Sequence, residues 1–222
     1  APAWVGVENR FLCSRQRYTL HRMIRTGRLV VGVTGASGGI YAIRFLLQAV
    51  AHFSEIYLIA TEQAIQVFQT ELNMEVSCET LSAERLLGVP FVGLHILQPR
   101  DYFSPPASGS FRHDGMVIIP CSMGTLGRIA QGISDDLMIR SADVCLKERR
   151  PLILVVRETP FNLVHLRNMV QACEAGATIL PAIPSFYNRP ETVEAVVDTV
   201  IARVLQHLGI SQTIVPEWGI EE

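Results

Sequence analysis

Arg157 and Glu158 follow directly on the apolar run Leu152–Val156, which sets a cation and a carboxylate at the end of what reads as a buried strand. Charges there are costly to desolvate unless each is paired or used. Glu158 can give or take a proton, and Arg157 can hold an anion. They close a basic stretch containing Arg140, Lys147, Arg149 and Arg150. Arg140 and Lys147 are spaced to share one helix face, two turns apart. Arg149 and Arg150, just ahead of Pro151, read as a solvated helix end.

Three turns are small and hydroxyl-rich: Gly35-Ala36-Ser37, Ala60-Thr61-Glu62 and Cys121-Ser122-Met123-Gly124-Thr125. Each follows an apolar run and opens a helix-length segment. Singly, Ser122 or Thr61 reads as an N-cap. Three such turns on one sheet edge favour a phosphate-bearing small molecule held at helix N-termini. The first turn is spaced G-x-x-G-G through Gly35, Gly38 and Gly39, not G-x-G-x-x-G, and no P-loop Lys follows. By itself it is equally a phosphate turn or a tight turn with a Ser cap.

Cys121 has no His near it in sequence and reads as a small core residue, not a nucleophile. Tyr102 and Phe103, ahead of Pro105 and Pro106, stand in a rigid loop, and the ordinary expectation is that one ring tucks into the core. Tyr187, in a Pro-rich loop, and Arg203, on the last helix, would each pass for surface if taken alone.

The elements that must position these groups alternate. Strands are expected at 29–34, 55–60, 94–97, 116–120, 152–156 and 178–180. Helices are expected at 38–52, 61–70, 122–131, 136–149, 161–175 and 190–208. This alternation predicts an α/β fold: a doubly wound parallel sheet, covered by helices on both faces, with ligands beyond the carboxyl ends of the strands. The 222 residues allow one sizeable domain. With 49% hydrophobic and 18% charged residues and a net charge of −2, nothing favours nucleic acid or a membrane surface. Five cysteines without a C-x-x-C pair read as reduced thiols of a cytoplasmic protein. The basic segment 1–27 has no continuous apolar stretch of a secretory signal and reads as a poorly ordered leader, with 28–210 the domain and 211–222 a tail.

Several runs, in order, closely resemble the flavin prenyltransferase (UbiX) family, formerly labelled aromatic-acid decarboxylases. They are Thr34-Gly35-Ala36-Ser37-Gly38, Pro105-Pro106-Ala107-Ser108-Gly109-Ser110, Pro120-Cys121-Ser122-Met123-Gly124-Thr125-Leu126, Leu146-Lys147-Glu148-Arg149-Arg150-Pro151-Leu152, Arg157-Glu158-Thr159-Pro160 and Pro184-Ser185-Phe186-Tyr187. The resemblance implies a flavodoxin-like or Rossmann-like subunit that joins a dimethylallyl group from dimethylallyl monophosphate to N5 and C6 of reduced FMN without a metal. The prenylated FMN would serve a partner decarboxylase, often in ubiquinone biosynthesis. By motif matching, FMN lies on Gly35, Ala36, Ser37, Thr61, Ser122, Met123, Gly124, Thr125 and Arg140. Lys147, Arg157, Tyr187 and Arg203 hold the dimethylallyl phosphate. Glu158 is the general acid/base, with Ser37 and Glu71 assisting. Tyr102 replaces the family's Trp as the π face for an allylic cation. The family forms a homododecamer with shared sites, which would explain why Tyr187 and Arg203 come so late in the chain. The alternatives are a flavin-dependent cysteine decarboxylase-like enzyme, a group with an early active-site His and a P-A-S-A-N-T loop where this chain reads Pro120-Cys121-Ser122-Met123-Gly124-Thr125, and a non-catalytic FMN carrier subunit.

Overall fold

The computed structural model describes residues 27–216. Six strands are built from apolar runs: β1 (Arg28–Val33), β2 (Glu55–Ala60), β3 (Leu94–Leu97), β4 (Gly115–Cys121), β5 (Leu152–Val156) and β6 (Thr178–Ile179). They form one parallel sheet in the order β3-β2-β1-β4-β5-β6. This is the Rossmann strand order, and its direction reverses between β1 and β4.

The connecting helices are α1 (Gly39–His52), α2 (Glu62–Leu72), α3 (Ala83–Leu87), α4 (Met123–Ala130), α5 (Leu137–Lys147), α6 (Leu163–Glu174) and α7 (Val193–His207). All six expected helices begin one to three residues later than periodicity alone predicts. Ser122, Asp136, Asn162 and Thr192 are N-caps, with extended backbone and side chains that accept from the third residue onward. The short α3 was not foreseen: its five residues, between the Ser82 cap and a left-handed Gly88, are too few to show a period.

Alternate strand residues feed two cores. Leu29, Val31, Val117, Ile119, Ile153 and Val155 pack with α1, α2 and α7 on one face. Val30, Met116, Ile118, Leu152 and Leu154 pack with α4, α5 and Ala172 of α6 on the other. Arg44 of α1 donates to Asp198 of α7 at 2.8 Å, tying two helices of the first face. Consequently α5 and α7 lie on opposite sides of the sheet. The expected leader lies outside the described residues except for Gly27, whose carbonyl accepts from Ser54 N at 3.1 Å. Of the expected tail, Ile214 packs against the first core.

Candidate active site

The carboxyl ends of four strands are laced together at the point where the strand order reverses. Thr34, only 2% exposed, donates its hydroxyl to Pro120 O at 2.7 Å and accepts from Ser122 N at 2.9 Å. Thr61 N donates to Val33 O at 3.0 Å, and Arg157 N to Cys121 O at 3.2 Å. These bonds set two capped helix starts side by side. The Thr61 hydroxyl accepts from Ala64 N at 3.1 Å, and the Ser122 hydroxyl accepts from Thr125 N at 3.3 Å. Ser122 also donates to the Thr125 hydroxyl at 3.0 Å. Thr34 was not singled out from sequence, although a Thr closing an apolar strand before a Gly turn was a usable signal. Thr34→Val leaves Ser122 N without its acceptor and Pro120 O with only the bond from Thr34 N at 3.3 Å. It is expected to cost about 2 kcal/mol, read as a lower denaturation midpoint.

The turn after β1 is not capped by its own serine. Gly38 is the N-cap of α1 at φ 108°, a left-handed conformation that favours glycine, and no side chain of its own turn caps the helix. The cap comes from α2 instead. Glu71 accepts from Gly38 N at 2.8 Å, from Gly39 N at 2.9 Å, and from the Ser37 side chain. A carboxylate therefore already occupies the positive end of α1, and the helix starts left open to an anion are those of α2 and α4. Desolvation raises the Glu71 pKa, but the bonds from Ser37, Gly38 and Gly39, with the nearby Arg157 charge, bring it below the usual carboxylate range. The stabilisation from this contact is present above that range and is lost as pH falls through the depressed value.

Arg157 is half-buried, and its charge reaches both Glu71 and the Tyr41 hydroxyl on α1. Glu158 is exposed, with Oε1 accepting from Thr159 N at 2.9 Å. Ser37, Glu71, Arg157 and Glu158 thus gather with Thr61 and Ser122 at one end of the sheet.

Within one chain, Lys147 and Arg203 lie apart from this group. Lys147 ends α5, paired with Glu148, just before β5 begins, whereas Arg157 follows the far end of β5. The five residues of β5 span roughly 16 Å. Arg203 lies on α7 across the sheet, exposed and bonded to Gln206. Tyr187 is exposed in the loop beyond β6. Arg140 donates to Ala107 O at 3.1 Å and pairs with Asp143 at 2.7 Å. Neither ring of the 102–103 loop is tucked into the core. Tyr102 is 44% exposed with its hydroxyl donating to Ser134 O at 3.3 Å, and Phe103 is fully exposed. Asp101 holds this tip by accepting from Phe103 N and the Ser104 hydroxyl, so it is Ser104 and Pro106 that turn inward.

Cys121 is fully buried, and desolvation pushes its thiol up to about 12. Burial pushes Cys145 to about 12 as well. Neither thiol ionises near neutral pH, so iodoacetamide at mildly alkaline pH is expected to leave both unmodified until the chain is denatured, as read by peptide mass spectrometry.

Comparison with known proteins agrees with this geometry. Residues 17–215 match the Flavoprotein family model. The flavin prenyltransferase UbiX of Alkalihalophilus pseudofirmus is 43% identical over 191 residues, covering 86% of this chain and 96% of that protein. The crystal structure of AnUbiX (PadA1) in complex with FMN and dimethylallyl pyrophosphate superimposes with a TM-score of 0.78 at 35% identity, covering 89% of this chain and 100% of the other. A dodecameric FMN-dependent UbiX-like decarboxylase from Escherichia coli O157:H7 gives a TM-score of 0.75 at 37% identity, covering 87% and 100%. The chain belongs to the flavin prenyltransferase UbiX family of flavoproteins.

Proposed function

We propose that this protein transfers the dimethylallyl group of dimethylallyl monophosphate to N5 and C6 of reduced FMN, producing prenylated FMN for a partner decarboxylase. The observation that carries this reading is the cluster of Ser37, Glu71, Arg157 and Glu158 beside two open, hydroxyl-capped helix starts. Those starts fit FMN. Thr61, Ser122 and Thr125 offer hydroxyls and backbone N–H groups to its phosphate, and at Gly124 nothing lies within 4 Å of where a side chain would begin. Gly35, Ala36 and Ser37 would line the ring edge, with Met123 beneath. The reduced flavin supplies the nucleophilic nitrogen and carbon.

The chain's own groups do the rest. Ser37 accepts from N5–H and passes a proton toward Glu71, along the bond that the two already share. Arg157 neutralises charge on the departing phosphate as its C–O bond breaks. Of the two protons released at N5 and C6, one is delivered to the CH carbon of the prenyl double bond so that its tertiary carbon can bond to C6, and Glu158 passes the other to the phosphate. Lys147, Tyr187 and Arg203 reach that phosphate from other copies of the chain, Arg140 serves the FMN, and the Tyr102 ring faces the allylic cation.

An oligomer is supported by the outer face of α6 and its approach. Phe161, Leu163, Val164, Leu166 and Val170 are all exposed in the single chain, and Phe186 and Tyr187 are exposed close by in sequence. This is more apolar surface than one subunit ordinarily leaves in water. The described cysteines are all free thiols, which supports a reducing, cytoplasmic setting. No helix among the described residues is long and apolar enough to cross a membrane.

The test is to incubate the protein anaerobically with reduced FMN and dimethylallyl phosphate and weigh the released flavin. A gain of one five-carbon unit is expected. Tight binding with FMN unchanged in mass would instead identify a carrier, and turnover of a peptide ending in Cys would identify a decarboxylase.

A further inference from the structure

Arg150 reads from sequence as part of a solvated helix end, but the structure turns it inward. Its Nη1 donates to Phe111 O at 2.7 Å and its Nη2 to Gly109 O at 2.6 Å. A planar guanidinium suits this two-point grip, which an ammonium cannot reproduce. Arg140 donates to Ala107 O at 3.1 Å, so the segment from Pro105 to Phe111 hangs from two arginines on or just beyond α5.

Gly109 in turn lies against the end of α5. A β-carbon there would stand 2.7 Å from Lys147 Nζ and would strike the Glu148 carboxylate. The Gly109 backbone and the Lys147 ammonium are therefore close neighbours, so the position of this loop shapes the space in which the ammonium sits.

We infer that Arg150 is a positioning residue for phosphate binding. By holding Gly109 and Phe111, it sets where the Lys147 ammonium is presented, and it touches neither substrate itself. This inference rests on the proposed prenyl transfer, in which Lys147 is a phosphate ligand.

The experiment uses the full-length oligomer, with prenylated flavin measured by mass while dimethylallyl phosphate is varied. Arg150→Ala is expected to raise the KM for dimethylallyl phosphate about tenfold or more, with FMN affinity and oligomer size unchanged. Arg150→Lys should show the same defect, because charge alone does not grip two carbonyls. Gly109→Ala approaches the contact from the other side and should reproduce the KM effect even if Arg150→Ala folds poorly. Millimolar guanidinium ion should restore part of the activity of Arg150→Ala but none of that of Lys147→Ala. An active wild type alongside folded Arg150→Ala and Gly109→Ala with unchanged KM overturns this inference alone. So does an Arg150→Ala that loses FMN affinity in step with its KM, or an Arg150→Lys that behaves as wild type. A wild type that leaves FMN unprenylated overturns the functional reading and this inference with it.

Discussion

Glu158→Gln is expected to bind FMN as tightly as the unaltered protein and to form prenylated flavin at least about a hundredfold more slowly. The substitution keeps the size of the side chain and an oxygen that can still accept from Thr159 N, as Glu158 Oε1 does at 2.9 Å. It removes only the capacity to take and return a proton. Glu158 is exposed on the loop that follows β5, so its loss disturbs no core. The turns at Thr61 and Ser122, proposed to bind FMN, are held by Val33 and Thr34, not by Glu158. Flavin fluorescence titration reads the binding, and single-turnover mass analysis reads the chemistry. A Glu158→Gln protein that turns over like wild type would remove Glu158 from the acid/base role.

The second expected result concerns two variants that fail separately and work together. Lys147→Ala and Arg203→Ala should each abolish most prenyl transfer, because each removes a cation from the phosphate. Their positions in one chain, on opposite faces of the sheet, do not allow both to reach the Arg157 of the same subunit. If each site draws Lys147 from one copy and Arg203 from another, co-expressing the two variants restores both cations to some sites. Random mixing in a symmetric oligomer would recover about a quarter of the sites. Mixed oligomers purified through two different tags, and assayed beside each parent, give the measurement. Recovery no greater than the parents would mean that both groups serve one site from one chain, and would overturn the shared-site reading.

Particular residues show how far the sequence could be read and where it stopped. The strands and most helices were legible because apolar periodicity and capping residues are local properties of the chain. Thr61 and Ser122 were legible as caps for the same reason, and the resemblance of the chain to flavin prenyltransferases implies that these turns face FMN. Glu71 was placed in the site only by that resemblance. Its actual position, capping a helix 33 residues earlier in the chain, follows from α2 packing beside α1, which no local pattern encodes. The Ser cap considered for the G-x-x-G-G turn was displaced because a full carboxylate competes better than a hydroxyl for the N-terminus of a helix.

By itself, then, the sequence determined the α/β class, the hydroxyl-rich ends of the strands, the adjacency of Arg157 and Glu158 at the end of a strand, and the family. Each is written in neighbouring residues or in a short period. Only the tertiary structure decided which groups share a site. It brought Ser37, Glu71, Arg157 and Glu158 to one sheet edge, and it left Lys147 and Arg203 apart, on opposite faces. It also turned Arg150 from solvent to two carbonyls about forty residues away. The physical reason is that strand order and helix side are set by burying two apolar faces at once. That global constraint fixes distances between charges that the chain's own spacing does not contain.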